Sequence, residues 1–414
     1  MRLIEKKDQF VCAPGIDRAT GRDQKQAAME GLQELGVFDR IMGVTYDTTV
    51  SNSSVLVGTA ALLENERGVA LLKIPCRRHI YDLFGKNTRR IVIGHATTGP
   101  GHPLFLKFSR EWGNIRGNID YANLSKLEMG QWQGTFVEGL VDQLKTWCLD
   151  MMNNVTFERG SYKSLLITIA IFIDAPTPPG FRYRMKKPQP VSNARFGEPA
   201  QYYLDIALLA NQLPWLTAEE MEEAKTMALI SALFYGPGFL KSPFGADAPY
   251  NDLESIINYR RLRAYMPAVA DEALATWERH LDYLTPPLVV LGLASDKMPL
   301  EQKNSMAQTL LSLLPNRVLQ LPPTPVRYPG PNFTTSDMFV TVENRMPDLG
   351  RLITLESFLI FNVLETSNED LHAWLNSPAE TWSIDPRSPN FKHGLYQLRL
   401  FAENCHFTND AAER

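Results

Sequence analysis

Asp47 closes an apolar run, Ile41-Met-Gly-Val-Thr-Tyr46, that reads as a buried β-strand. A carboxylate at the C-terminal tip of a sheet strand is held rigidly at the edge of a fold. The short side chains that follow it, Thr48, Thr49, Ser51, Asn52 and Ser53, leave room there for a ligand or a metal ion. The competing reading is that Asp47 makes an Asx turn and caps the next helix. Cys76-Arg77-Arg78-His79 follows a second strand-like run, Ala70-Leu-Leu-Lys-Ile-Pro75. Cys-x-x-His is half of a zinc site, but His95 and His102 come later without cysteines, so no second ligand pair has the required spacing. A buried thiol beside a surface histidine is the plainer alternative.

Two basic segments add a different chemistry. Between Lys73 and Arg90 the cations Lys73, Arg77, Arg78, Lys86, Arg89 and Arg90 face Asp82 alone, a balance of 6 − 1 = +5. Between Phe181 and Arg195 the cations Arg182, Arg184, Lys186, Lys187 and Arg195 face no acid, again +5. The second segment interleaves Phe181 and Tyr183 with its charges, which suits phosphate contact combined with base stacking. A solvated charged face is the alternative for both. Gly85-Lys86-Asn87-Thr88 lacks the spaced glycine of a phosphate-binding loop, and no Gly-x-Ser-x-Gly elbow offers a hydrolase nucleophile.

The elements that must position these residues change character along the chain. Asp23–Leu35 has helical apolar spacing and stops at Gly36, and Val55–Glu64 also reads as helix. With Gln9–Ala13, the run ending at Tyr46 and the run ending at Pro75, this makes an alternating β/α rhythm. Beyond about residue 103 helical stretches dominate: 132–152, 162–173, 201–213, 217–235, 253–263, 271–284, 301–314 and 352–364. Thr217 and Glu220 predict a capping box. Pro-rich stretches at 174–180 and 321–331 punctuate the series. The chain has 414 residues, 44% hydrophobic, enough for a sizeable core, and its net charge of −4 argues against a generally basic nucleic-acid coat. Four scattered cysteines fit a reducing compartment rather than a disulfide scaffold, and no apolar run approaches a membrane span. A soluble intracellular protein is expected.

The order strand, Asp47-Thr-Thr-x-Ser-Asn52, helix, strand, Cys76-Arg-Arg-His79, long helical stretch, Asn409-Asp-Ala-Ala-Glu413-Arg414 resembles the DDE transposases of the hAT superfamily. It is closer still to uncharacterised, transposon-derived hAT-like proteins. Further points of likeness are Gly99-Pro100 through Trp112, Pro179-Gly-Phe-Arg-Tyr-Arg184 and Ala248-Pro-x-Asn-Asp-Leu-Glu254, so the resemblance spans nearly the whole chain. It implies an α/β plus α protein: a partial RNase H-like sheet core interrupted by a large all-helical insertion domain. The implied division is 1–103 for the first part of the core, 104–400 for the insertion and 401–414 for the start of a returning core helix. The resemblance further implies that Asp47 and Glu413 are catalytic acids binding Mg²⁺ or Mn²⁺, and that Cys76 and His79 lie beside the active site. Asn193-Ala-Arg195-Phe196 matches an Arg-Trp segment, with phenylalanine replacing tryptophan. DNA is the implied partner, through Arg77, Arg78, Arg182, Arg184, Lys186, Lys187 and Arg195. Self-association and a nuclear location are implied as well. The first family acid has no counterpart, since Asp8 and Asp17 are on no comparable strand. The expectation is therefore a relative truncated at both ends, inactive alone in metal-dependent DNA strand cleavage and transfer. A non-catalytic DNA- or protein-binding fragment is the alternative.

Overall fold

A computed structural model of the chain describes residues 15–54, 56–94, 101–191, 195–280, 285–316, 348–405 and 407–408. The described residues are mostly helical, with a small two-stranded parallel sheet. They fall into two compact units: Met1–Arg77, Ser242–Ile257 and Glu278–Arg414 form one, and Arg78–Lys241 with Asn258–Trp277 form the other.

In the first unit, helix α1 (Gly21–Glu34) starts at Thr20, whose hydroxyl accepts from the Asp23 amide at 3.2 Å. Strand β1 (Gly43–Tyr46), the short helix α2 (Val50–Ser53), helix α3 (Thr59–Arg67) and strand β2 (Leu72–Pro75) follow. β1 and β2 run parallel, with Gly43 opposite Leu72 and Tyr46 opposite Pro75. Parallel neighbours need a crossover, and α2 and α3 supply it. Gly43 is required at this point because a Cβ there would stand 2.7 Å from the Leu72 carbonyl oxygen. Met29, Leu63 and Leu71 form a small core against which Phe38, Ile41 and Val44 pack. Glu64 is fully buried on α3: one carboxylate oxygen accepts from the Leu71 amide at 3.0 Å and the other from Lys73 at 2.7 Å. That pairing lets a lysine sit inside a buried strand. The remainder of this unit is helical, with Trp374 buried edge-on against Phe361 and Trp382.

The second unit contains helices α4 (Arg77–Ile93, from Arg78 onward), α5 (Pro103–Ile115), α6 (Phe136–Asn154), α7 (Gly160–Phe172), α8 (Gly197–Leu208), α9 (Ala218–Ile230) and α10 (Gly236–Lys241). The end of α11 (Ala248–Leu262) and most of α12 (Pro267–His280) complete it. α8 is the central rod, buried all round and packed on both α7 and α9. Thr217 and Glu220 form the expected reciprocal capping box at the start of α9, at 3.1 and 2.9 Å. The helix expected over 217–235 is continuous, but its last five residues, Ser231–Tyr235, widen into a π-helical turn before α10. The segment joining α7 to α8 has no regular structure and carries the second basic run. Several helices escaped the sequence reading, among them α4, α5, Asn368–Leu375 and His393–Asn404, although Ile80, Tyr81 and Phe84 on α4 are buried at helical spacing. The stretch expected to be helical over 352–364 is instead two 3₁₀ turns followed by Leu359–Val363. The strand expected at Gln9–Ala13 lies outside the described residues.

Candidate functional site: a tyrosine-lined cationic cleft

At the tip of β1, Asp47 performs a local task. Its Oδ1 accepts from the Thr49 amide at 2.9 Å, the Thr49 hydroxyl at 2.7 Å and the Asn52 side-chain amide at 2.9 Å. These are the bonds of an Asx turn leading into α2, the plainer of the two readings of this residue. The parallel register brings Cys76 beside it, since the Cys76 amide donates to the Tyr46 carbonyl at 2.7 Å. The Cys76 thiol is fully buried, and His79 is half-buried and partnered. Glu413, the other expected acid, lies outside the described residues. Among the described residues no group of three His, Cys, Asp or Glu side chains could hold a metal ion. One carboxylate with three donors already on Oδ1 does not by itself clamp two divalent cations, so no catalytic step is assigned to it.

The Arg77 and Arg78 side chains are buried, at 4% and 3% exposure. Arg77 is ion-paired with Asp252. Arg78 lies over the Tyr162 ring at 4.2 Å and the Phe239 ring at 5.2 Å, 3.6 Å from Glu158. Guanidinium groups held this way stabilise helix packing. Arg195 is likewise engaged, 3.2 Å from the fully buried Asp82 on α4. Asp82 also accepts from the Phe196 amide at 2.9 Å and the Tyr235 hydroxyl at 3.0 Å. Burial raises the Asp82 carboxyl above its usual range despite the neighbouring arginine. Phe196, wholly buried, then enters against Gly85, where a Cβ would stand 2.2 Å from the ring. The Arg195-Phe196 pair is thus the latch that starts α8.

Of the seven cations implied as DNA contacts, four are exposed: Arg182, Arg184, Lys186 and Lys187. Arg184, Lys186 and Lys187 line a cleft of about 490 Å³, together with Arg159 at the start of α7. Its walls include Tyr162, Tyr183, Tyr202 and Phe239, and its floor includes Thr168 on α7 and Gln201 and Asp205 on α8. The Tyr202 hydroxyl is fixed by Ser109 at 2.5 Å and the Gln189 carbonyl at 3.1 Å. The Gln201 amide donates to Thr168 Oγ1 at 2.8 Å and to Asp205 Oδ1 at 2.9 Å. Burial pushes the Asp205 carboxyl up to about 8, with the Gln201 bond opposing it, so Asp205 keeps its proton at neutral pH. The Gln201 carbonyl oxygen and one Glu198 carboxylate oxygen are buried there without a hydrogen-bond partner. The cleft therefore combines cations at the rim, aromatic side chains on the walls and polar groups at depth, the composition of a small-ligand site.

Arg184, Lys186 and Lys187 were visible in the sequence as a charge run. Gln201 and Asp205 were not singled out, although their i, i+4 spacing on a mostly apolar helix marks a buried polar pair. No helix among the described residues is long and apolar enough to cross a membrane. No family model, curated protein or solved structure matches the chain.

Proposed function

We propose that this chain is a transposase-derived nucleic-acid-binding protein whose contact surface is the Arg182–Lys187 segment and the cleft beside it. The observation that carries this reading is the exposure of Arg182, Arg184, Lys186 and Lys187 on a segment without regular structure beside tyrosine side chains. Cations that track a backbone beside aromatic faces that stack bases are the two components of single-strand binding. Binding is tested with short single-stranded DNA over a salt series. Each neutralised phosphate contributes roughly −0.7 to the slope of log K against log salt, so replacing all four cations with glutamine lowers the slope by about 3. A slope unchanged in that variant refutes the reading.

A second reading rests on the strand tip, where Asp47 and the Cys76 segment lie side by side on adjacent parallel strands. That placement supports an RNase H-like core of hAT type, with Asp47 and Glu413 serving Mg²⁺- or Mn²⁺-dependent strand cleavage. Nuclear residence and self-association belong to the same resemblance. Nicking of DNA in Mn²⁺ that disappears in both Asp47→Ala and Glu413→Ala supports it, and nicking that survives both substitutions removes it.

A further inference from the structure

The cleft floor suits a particular ligand chemistry. Asp205 is 2% exposed and carries its proton at neutral pH, because burial pushes the carboxyl up to about 8. A protonated carboxyl offers one donor and one acceptor side by side. Beside it the Gln201 carbonyl oxygen and a Glu198 carboxylate oxygen are buried acceptors lacking hydrogen donors. An entering group must therefore bring N–H bonds for those oxygens and one acceptor for the acid proton. The walls ask for a flat apolar body, and the rim asks for a negative charge.

We propose that the cleft binds one nucleotide, its amino-bearing base inserted toward Asp205 and Gln201 and its phosphate held by Arg184, Lys186 and Lys187. Adenine meets the demand with N1 as acceptor and two N6 hydrogens as donors, and cytosine does so with N3 and N4. Thymine has one ring N–H between two carbonyl oxygens and would set oxygen against the orphan acceptors. Guanine can set O6 and N1–H against a protonated carboxyl, but its N1 and N2 hydrogens together match an ionised one, so it gains on ionisation where adenine loses. The inference deepens the nucleic-acid reading and rests on it only for the origin of the nucleotide, free or within a strand.

The base preference is tied to one proton. The Tyr183 and Tyr202 phenols, which face Asp205 from the connecting segment and from α8, are held above their usual range mainly by burial. Arg159, Arg184, Lys186 and Lys187 are the cations around the cleft, and Glu198 is its second carboxyl. Raising the pH from 6.5 to 9 ionises Asp205 and removes the hydrogen that N1 of adenine requires.

Titration of the whole chain with dAMP, dCMP, dGMP and dTMP, followed by tyrosine fluorescence or calorimetry, tests this. At pH 6.5 dAMP and dCMP bind roughly ten-fold more tightly than dTMP, the discrimination expected of a two-point edge contact. At pH 9 dAMP weakens relative to dGMP. Asp205→Asn keeps a donor beside an acceptor, so it retains the preference for dAMP over dTMP and abolishes that pH dependence, whereas Gln201→Met weakens dAMP toward dTMP. Equal binding of all four nucleotides, or an unchanged pH dependence in Asp205→Asn, overturns the proposal. Short oligonucleotides separate the two claims. Strands that bind with the rim's salt dependence but no base preference sink the inference and leave the nucleic-acid reading standing. Discrimination among mononucleotides with no strand binding does the opposite.

Discussion

Asp82 shows how a residue's chemistry is decided by what surrounds it. In the sequence it is the lone acid in a basic stretch, where it reads as charge balance. In the fold it is fully buried and holds Arg195, the Phe196 amide and Tyr235 at once. Asp82→Asn removes the carboxylate that stands 3.2 Å from the largely enclosed Arg195 guanidinium. Removing one partner of a buried pair costs about 3 kcal/mol, and urea unfolding of the variant measures it through a lowered midpoint. A midpoint within error of the wild type contradicts this account. Asp47 makes the complementary point. Its position after an apolar run was legible, and the Thr49 and Asn52 groups that shape its turn are close to it in sequence.

Helix α4 is the element on which the cleft depends. Its residue 85 is glycine inside a helix, a choice that ordinarily costs about 1 kcal/mol relative to alanine. Here the missing Cβ is the space Phe196 occupies. Gly85→Ala therefore reverses the usual propensity gain. It is expected to destabilise the chain by about 1–3 kcal/mol, read as a lowered thermal midpoint, through overpacking against the aromatic ring. Phe196→Leu in the same background relieves part of the loss, and failure of that rescue argues against the contact as the cause. The capping box at Thr217 was readable because both of its partners are local, whereas the Gly85–Phe196 contact joins positions with no shared pattern. The same limit explains the boundaries. Spacing located α6, α7 and α9 to within a few residues, and it missed α4 because four of the first eight residues after Cys76 are charged or histidine.

The pH dependence of global stability should carry an unusual contribution. Asp205 has its folded value raised to about 8 against an ordinary carboxyl value of 3.8. A raised carboxyl favours the protonated native state, so its contribution is fully present below about pH 4 and declines as pH rises toward 8. This is opposite in sign to the usual salt-bridged acid. Asp205→Asn should match the wild type near pH 4 and exceed it by several kcal/mol near pH 9, measured by denaturant unfolding at each pH. Parallel stability curves for the two proteins would falsify the burial argument. The net charge of −4 places no basic character on the molecule as a whole, so the nucleic-acid contact proposed above is assigned to the exposed segment that carries cations and no acid.

By itself the sequence determined the helical bulk of the chain, the parallel strand runs around Tyr46 and Pro75, the α9 cap and the cationic segment after Pro179. All of these rest on periodicity or on neighbours within a few positions, which one chain displays without folding. Only the tertiary structure decided which charges are spent inside the fold. Arg77, Arg78 and Arg195 are drawn into ion pairs with Asp252, Glu158 and Asp82, while Arg182, Arg184, Lys186 and Lys187 stay at the surface. It also decided that Gln201 and Asp205 sit beneath tyrosines from other segments, because desolvation depends on every element packed around a group and not on its own stretch of chain.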